Sequence, residues 1–218
     1  MRTWTPPSPL PGPLETARTI IRLYQKGDGP RLYAAVNACR DLLWLWLPWA
    51  TSDHADIDDS IFFVEKVMRR SREPDCRDFP VAVFDRDGAT FLGGLGFHRI
   101  VAQESTAEVG YWLRGDRHGE GLCTEAAAAF ITAGLTPQAD GGWGFRRITL
   151  LCAADNIASS RVANKLGMRL ERRERAERYS EHAPTPGYLD SLGFAVLASV
   201  WDFETQRAKP AIAWPPPA

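Results

Sequence analysis

A chain of 218 residues, 44% apolar and 24% charged, can bury one sizeable core without metals or disulfides and is too apolar for wholesale disorder. Its formal net charge of -1 gives no bulk reason to expect nucleic acid or an anionic membrane as a partner. Cys39, Cys76, Cys123 and Cys152 form no C-x-x-C pair, and no run approaches the roughly 18 apolar residues of a membrane helix or the pattern of a secretory leader, so a cytoplasmic protein with reduced thiols and no metal is expected.

Five prolines crowd residues 1–13, too many for a helix or an inner strand, so this stretch is expected to be a flexible extended arm. The tail over 208–218 reads the same way, and 14–207 reads as a single domain. Thr19, Ile20, Ile21 and Leu23 predict a first strand within 14–23, punctuated by Asp28, Gly29 and Pro30. Leu32, Ala35, Val36 and Cys39 fall at i, i+3, i+4 and i+7 and predict one helix over 31–43. It runs into Trp44-Leu45-Trp46-Leu47-Pro48-Trp49-Ala50, where proline stops it; three tryptophans so close form either a core corner or a pocket wall. Phe62, Val64, Val67 and Met68 predict a second helix over 57–72.

Residues 79–84 and 91–100 flank Asp85-Arg86-Asp87-Gly88 as a hairpin, with glycine where a positive φ is wanted. Gly93, Gly94 and Gly96 mark a bulge or a close approach in its second strand, and His98 reads as packed or solvated rather than catalytic. Residues 107–114 alternate, with Val109, Tyr111 and Leu113 on one face and Glu108 on the other. Arg117-His118-Gly119-Glu120-Gly121-Leu122-Cys123-Thr124-Glu125 then opens into an alanine-rich helix ending near Leu135. Strand, glycine turn and helix in that order let the backbone approach a ligand and present unpaired amides at the positive end of a helix dipole, which is where phosphate binds. A plain strand-to-helix turn would show the same residues.

Leu122, Ala126 and Phe130 form one i, i+4 row and Cys123, Ala127, Ile131 and Leu135 the next, so the helix is expected to be buried on most sides. Gly134 and Pro137 end it, and 136–145 reads as a mobile glycine-rich loop. The apolar run over 148–153 predicts an inner strand. Asp155 or Asn156 caps a short helix bearing Ala158, Val162 and Leu166 and closed by Gly167. A strand resumes over 168–173, 172–178 reads as a solvated mixed-charge edge, and a last strand over 193–203 follows a loop over 180–191. The order predicts a mixed α/β fold.

Five of these segments, in sequence, resemble the GNAT superfamily of N-acetyltransferases, and within it the RimJ/RimL-like branch that acetylates ribosomal-protein N-termini. Residues 14–22 are similar to that branch's opening strand, 46–50 to its tryptophan-rich turn, and 107–113 to its fourth strand. Residues 118–126 are similar to its acetyl-CoA turn, and 156–168 to its fifth-strand exit and helix. The turn departs from the usual R/Q-x-x-G-x-G/A: its first position is His118 and its last Cys123, leaving only Gly121 in standard form. Because backbone amides carry phosphate recognition there, Arg117, one position earlier, is expected to supply the missing cation. The loop over 136–145 is longer than the family leads one to expect.

The resemblance implies a mixed, mostly antiparallel sheet of about seven strands with about four helices and a splayed parallel strand pair at the CoA site. It implies an acyltransferase that passes acetyl from acetyl-CoA to a primary amine, on a protein N-terminus or a small molecule, by direct attack in a ternary complex, and a homodimer. Arg117, His118, Gly119, Glu120, Gly121, Leu122, Cys123 and Thr124 would hold the pyrophosphate, and the backbone of Tyr111, Trp112 and Leu113 would follow the pantetheine arm and polarise the thioester. Asn156 would bond to the pantetheine, Ser159 would stand near the sulfur, and Trp46 and Trp49 would line the acceptor channel. Glu108 is the expected general base. Its rivals are a structural pairing of Glu108 with a nearby arginine, or a base among Glu177, Glu181 and His182. Cys123 at a helix start raises an acetyl-cysteine intermediate, which its place against the pyrophosphate disfavours. The other functional class is a non-catalytic CoA-binding regulatory or interaction module; a nucleotide-binding domain is weakened by the lack of G-x-x-x-x-G-K-[ST] and of an early G-x-G-x-x-G.

Overall fold

The computed structural model describes residues 3–47, 49–182, 186–204 and 212–213. Its strands are β1 (Leu14–Glu15), β2 (Thr19–Leu23), β3 (Phe79–Asp85), β4 (Phe91–Val101), β5 (Thr106–Leu113), β6 (Arg147–Ala153), β7 (Arg169–Ser180), β8 (Gly187–Leu197) and β9 (Ile212–Ala213). Helices are α1 (Gly29–Asn37), α2 (Arg40–Trp44), α3 (Trp49–Ser52), α4 (Ile57–Arg70), α5 (Leu122–Leu135) and α6 (Ile157–Lys165). The strands form one sheet in the order β7-β8-β6-β5-β4-β3-β2-β1-β9. β5 and β6 are parallel; the other pairs are antiparallel. The mixed, mostly antiparallel sheet is thus as expected, and two-residue strands at one edge raise the strand count above the expected number.

Alternation along β3 splits the core in two. Phe79, Val81 and Val83 join the cluster under α5, while Ala82 and Phe84 join the cluster under α1 and α4. α5 can lie close to the sheet because Ala126, Ala127, Ala128 and Ala129 give it a thin cross-section, with Phe130 stacked on Phe97 at 4.0 Å. On the other face α4 starts at a reciprocal cap, Asp59 N–H donating to Asp56 Oδ1 at 2.9 Å and Asp56 N–H to Asp59 Oδ2 at 3.2 Å.

The feature that positions the site is where β5 and β6 part. Thr106, Ala107 and Glu108 pair with Arg147, Ile148 and Thr149, and there the ladder stops, although both strands run on. Beyond Glu108 each keeps its outer partner, β5 with β4 and β6 with β8, and the two backbones open a gap between them.

Several expectations change. The helix predicted over 31–43 breaks at Cys39, whose φ of -142° and ψ of 26° are not helical. α2 thereby turns to pack Leu42 on Gly115 so closely that a Cβ there would lie 2.9 Å from Leu42 Cδ2. The loop over 136–145 is pinned rather than loose: Trp143, Gly144 and Phe145 donate backbone N–H to Ala133, Thr136 and Gly134 carbonyls at 2.8–2.9 Å. Trp143 is buried against Phe79 and Phe97, so this loop is a core corner, not a gate. The proline-rich arm is anchored as well. Trp4 stacks on Phe145 at 5.0 Å and donates Nε1–H to Trp143 O at 2.7 Å. β8 begins at Gly187 because Asp190 and Ser191, which read as loop residues, serve the sheet: Asp190 Oδ1 accepts from Ala176 N–H at 3.1 Å in a β7 bulge, and Ser191 is buried. Apart from β9, most of the tail over 208–218 lies outside the described residues.

Candidate active site at the strand splay

After β5, a short 3-10 turn (Gly115–Arg117) leads to His118, whose Nε2 lies 2.9 Å from Leu113 O. Gly119 at φ +84° and Gly121 at φ +81° bring the chain into α5 in the left-handed region where an L side chain is strained. A Cβ on Gly119 would meet nothing within 4 Å, and one on Gly121 only Arg18 Nη2 at 3.6 Å, so the space above the turn is open. Gly121 caps α5 without a side chain, which leaves the amides of its first turn available to an outside acceptor. An open, left-handed glycine turn feeding unpaired helix amides fits a phosphate group.

The side chains around the turn differ from expectation. Arg117 is committed to Glu120, Nε–H to Oε1 at 2.8 Å and Nη2–H to Oε2 at 3.0 Å, so it is not the free cation the turn was expected to need. Arg114 is held likewise by Asp116, at 3.0 and 2.8 Å. Burial pushes the Cys123 thiol up to about 12, the reverse of the activated thiolate that a covalent route needs. Glu125, one helical turn in, accepts from Thr16 Oγ1–H at 2.6 Å and from Arg18 N–H at 2.9 Å and Nε–H at 2.8 Å. Burial favours its neutral form, but the bonds from Thr16 and Arg18 outweigh this and hold its carboxyl below the usual glutamate range. Sequence reading passed over this network because its halves stand about a hundred residues apart.

Across the gap, Asn156 caps α6, its Oδ1 accepting from Ser159 N–H at 3.1 Å. That bond uses one lone pair of Oδ1 and sets the start of the helix. Ser159 Oγ–H donates to Tyr111 OH at 3.2 Å, and Tyr111 OH donates to Ser159 O at 3.0 Å. Burial, only partly offset by the bond to Ser159, raises the Tyr111 phenol above its ordinary range. Cys152 is buried nearby and its thiol is also raised. Tyr111 and Cys152 belong to the α5 side of the sheet.

Glu108 and Trp112 project from the other side, since β5 alternates. Glu108 Oε2 accepts from Arg99 Nη1–H at 3.3 Å, so the structural pairing weighed against the base role exists in this protein. Opposite Glu108 stands His98, its Nδ1 bonded to Asp78 and its ring lying over Gly96 and Gly110, either of which a Cβ would drive into the imidazole. Trp49 meets Trp112 edge-on at 5.9 Å. Trp46 packs against Ala153 and Leu189, and its carbonyl accepts from Arg178 Nη1–H at 3.3 Å. His182 stacks on Trp44 at 5.7 Å. Glu177 and Glu181 are exposed. Thus Glu108 and Ser159 stand on opposite faces of the sheet, with Glu108 at the last paired position before β5 and β6 part.

A model of the acetyltransferase (GNAT) domain matches residues 18–169, which include the turn, the splay and Ser159. The chain belongs to the GNAT family. It is 30% identical over 158 residues to the uncharacterized N-acetyltransferase YnaD of Bacillus subtilis (strain 168), 72% of this chain and 83% of that one. It is 36% identical over 80 residues to the ribosomal-protein-serine acetyltransferase of Escherichia coli (strain K12), 37% of this chain; the match spans only 42% of that enzyme's length. Among solved structures, RimJ of Mycobacterium smegmatis in complex with CoA-disulfide aligns with a TM-score of 0.75 at 20% identity, over 91% of this chain and 92% of that one. RimL, a ribosomal L7/L12 alpha-N-protein acetyltransferase in complex with coenzyme A, aligns with a TM-score of 0.72 at 21% identity, over 84% and 95%. These two likenesses establish the fold. As a GNAT acyltransferase the protein takes its acetyl group from acetyl-CoA, a thioester whose carbonyl carbon is the electrophile. Among the described residues no helix is long and apolar enough to cross a membrane, and no group of three or more His, Cys, Asp or Glu could hold a metal.

Proposed function

We propose that the protein acetylates a primary amine, with a protein N-terminus as the acceptor class, by direct attack in a ternary complex. The observation that carries this reading is the placement of Glu108 and Ser159 on opposite faces of the β5–β6 gap: a proton acceptor on one side, a hydroxyl for the leaving sulfur on the other. Likeness to ribosomal-protein acetyltransferases supports the acceptor class.

In this reading the amides over 119–124 hold the pyrophosphate, with Arg117, His118, Glu120, Leu122, Cys123 and Thr124 shaping the cradle around Gly119 and Gly121. Backbone groups of Tyr111, Trp112 and Leu113, freed where the β5–β6 ladder ends, line the pantetheine arm and polarise the acetyl carbonyl. Asn156 fixes the start of α6 and so the place of Ser159. Trp46 and Trp49 wall the acceptor side. The amine nitrogen forms the new C–N bond and the C–S bond then breaks; Glu108 accepts the proton the amine loses, and Ser159 Oγ–H turns from Tyr111 OH to donate toward the departing thiolate. One observation favours a second base: His98, oriented by Asp78, sits on the same face beside Glu108.

The test is thiol release from acetyl-CoA against N-terminal seryl and alanyl peptides, polyamines, aminoglycosides and amino acids. Release with peptides, and with an acetyl group on the α-amine by mass spectrometry, is the expected result. Silence across the panel, alongside stabilisation by CoA, would support the non-catalytic binding module instead. Glu108→Gln is expected to lower kcat about 100-fold with KM for acetyl-CoA little changed, whereas His98→Asn leaves kcat within about twofold.

A further inference from the structure

The glycine turn brings no free cation of its own, and it carries a liability. Glu125, 9% exposed, puts a carboxylate in the first turn of α5, where a diphosphate would approach. Two like charges in a partly dry site repel unless one of them is neutralised. Arg117 and Arg114 pair with Glu120 and Asp116 instead, and neither contacts Glu125.

Arg18, in the bend between β1 and β2, can. Its Nε–H and Nη2 meet Glu125 Oε2 at 2.8 and 2.6 Å, and its backbone N–H meets Oε1 at 2.9 Å, beside Thr16 Oγ1–H at 2.6 Å. The same guanidinium donates Nη1–H to Glu120 O at 2.8 Å, the carbonyl of the residue between the two left-handed glycines. Nη2 lies 3.6 Å from where a Gly121 Cβ would stand, and the side chain is 48% exposed. One arginine therefore cancels the carboxylate, ties down the turn's central carbonyl and borders the space above Gly121.

We infer that Arg18 is a positioning residue of the CoA cradle: it neutralises Glu125 and fixes the 119–121 backbone so that the α5 amides converge on the pyrophosphate. This rests on the reading of that turn as the pyrophosphate site. Arg18 then acts on donor affinity and not on the acyl-transfer step, and its effect exists only for donors that carry the diphosphate.

The experiment is titration calorimetry of the full chain with CoA and, by competition, with pantetheine, which lacks the pyrophosphate, together with thermal unfolding of the ligand-free variants. Arg18→Ala is expected to weaken CoA about tenfold or more while pantetheine changes by less than about twofold. Adding Glu125→Gln to Arg18→Ala should recover much of the loss, because the uncompensated carboxylate is gone. Arg18→Lys, which keeps the charge without the fork, should fall between wild type and Arg18→Ala and remains readable if Arg18→Ala does not fold. Equal losses for CoA and pantetheine, or CoA affinity unchanged in both Arg18 variants, overturn the inference. Gly121→Asp separates the two layers. If it loses CoA while the Arg18 variants do not, only the role of Arg18 fails; if it binds CoA normally, the cradle itself is misplaced.

Discussion

Tyr111 shows how one residue can serve through backbone and side chain at once. Its place on β5 was legible from alternation, but its hydroxyl bond to Ser159 was not, since nothing in sequence links residues 48 apart on a strand and a helix. Tyr111→Phe leaves the strand intact and removes the partner of Ser159 Oγ–H. A lowering of kcat by about tenfold, with KM for acetyl-CoA little changed, is expected from the loss of the two half-buried hydrogen bonds that hold Ser159 at the reacting end. Steady-state kinetics decide it, and a rise in KM alone would show that Tyr111 serves binding instead. Cys123 gives the opposite lesson. Its helix-start position suggests an activated thiol, whereas burial raises the thiol to about 12. Intact-mass measurement after incubation with acetyl-CoA alone should find no acetyl group on Cys123, and an adduct there would revive the covalent route.

At the scale of elements, the strongly patterned pieces were readable: α5 from its two i, i+4 rows, β6 from its apolar run, the β3–β4 hairpin from its turn residues. What escaped depends on contacts from elsewhere. The break between α1 and α2 follows from Gly115 packing on Leu42, and the early start of β8 from the Asp190 bond to the β7 bulge. Gly134 tests the packing of α5. Alanine there should gain about 1 kcal/mol of helix propensity, but its Cβ would stand 2.5 Å from Phe97 Cζ and 2.7 Å from Ile148 Cδ1, so overpacking of about 1–3 kcal/mol wins. Gly134→Ala is therefore expected to lower the urea midpoint. On the other face, Asp56→Ala removes the α4 cap and should cost about 1 kcal/mol in the same measurement, without affecting CoA affinity.

For the whole molecule, the order of segments carried the fold, and the match to the GNAT family over residues 18–169 agrees with it. The acceptor's identity was not legible, and the residues of the proposed acceptor wall, Trp46, Trp49, Trp112 and His98, come from four elements or turns. Stability should depend on pH through Glu125. Its folded pKa lies below its unfolded one, so the unfolded state binds more protons in the carboxylate range; stability is full above that range and falls as pH drops through it. Glu125→Gln should flatten this acid limb in a series of thermal melts, and an unchanged limb would mean that the Thr16–Arg18–Glu125 network contributes no pH-linked stability. The central claim, that the 119–121 turn is the pyrophosphate cradle, is tested most directly by calorimetric titration of CoA into the wild type and Gly121→Asp. The variant adds a carboxylate where the diphosphate would sit; no neighbour crowds it, and the strain of a side chain at φ +81° costs about 1–2 kcal/mol, so the fold survives with a melting temperature a few degrees lower. Loss of CoA binding with cooperative unfolding retained is the predicted result. CoA binding with wild-type affinity would contradict it.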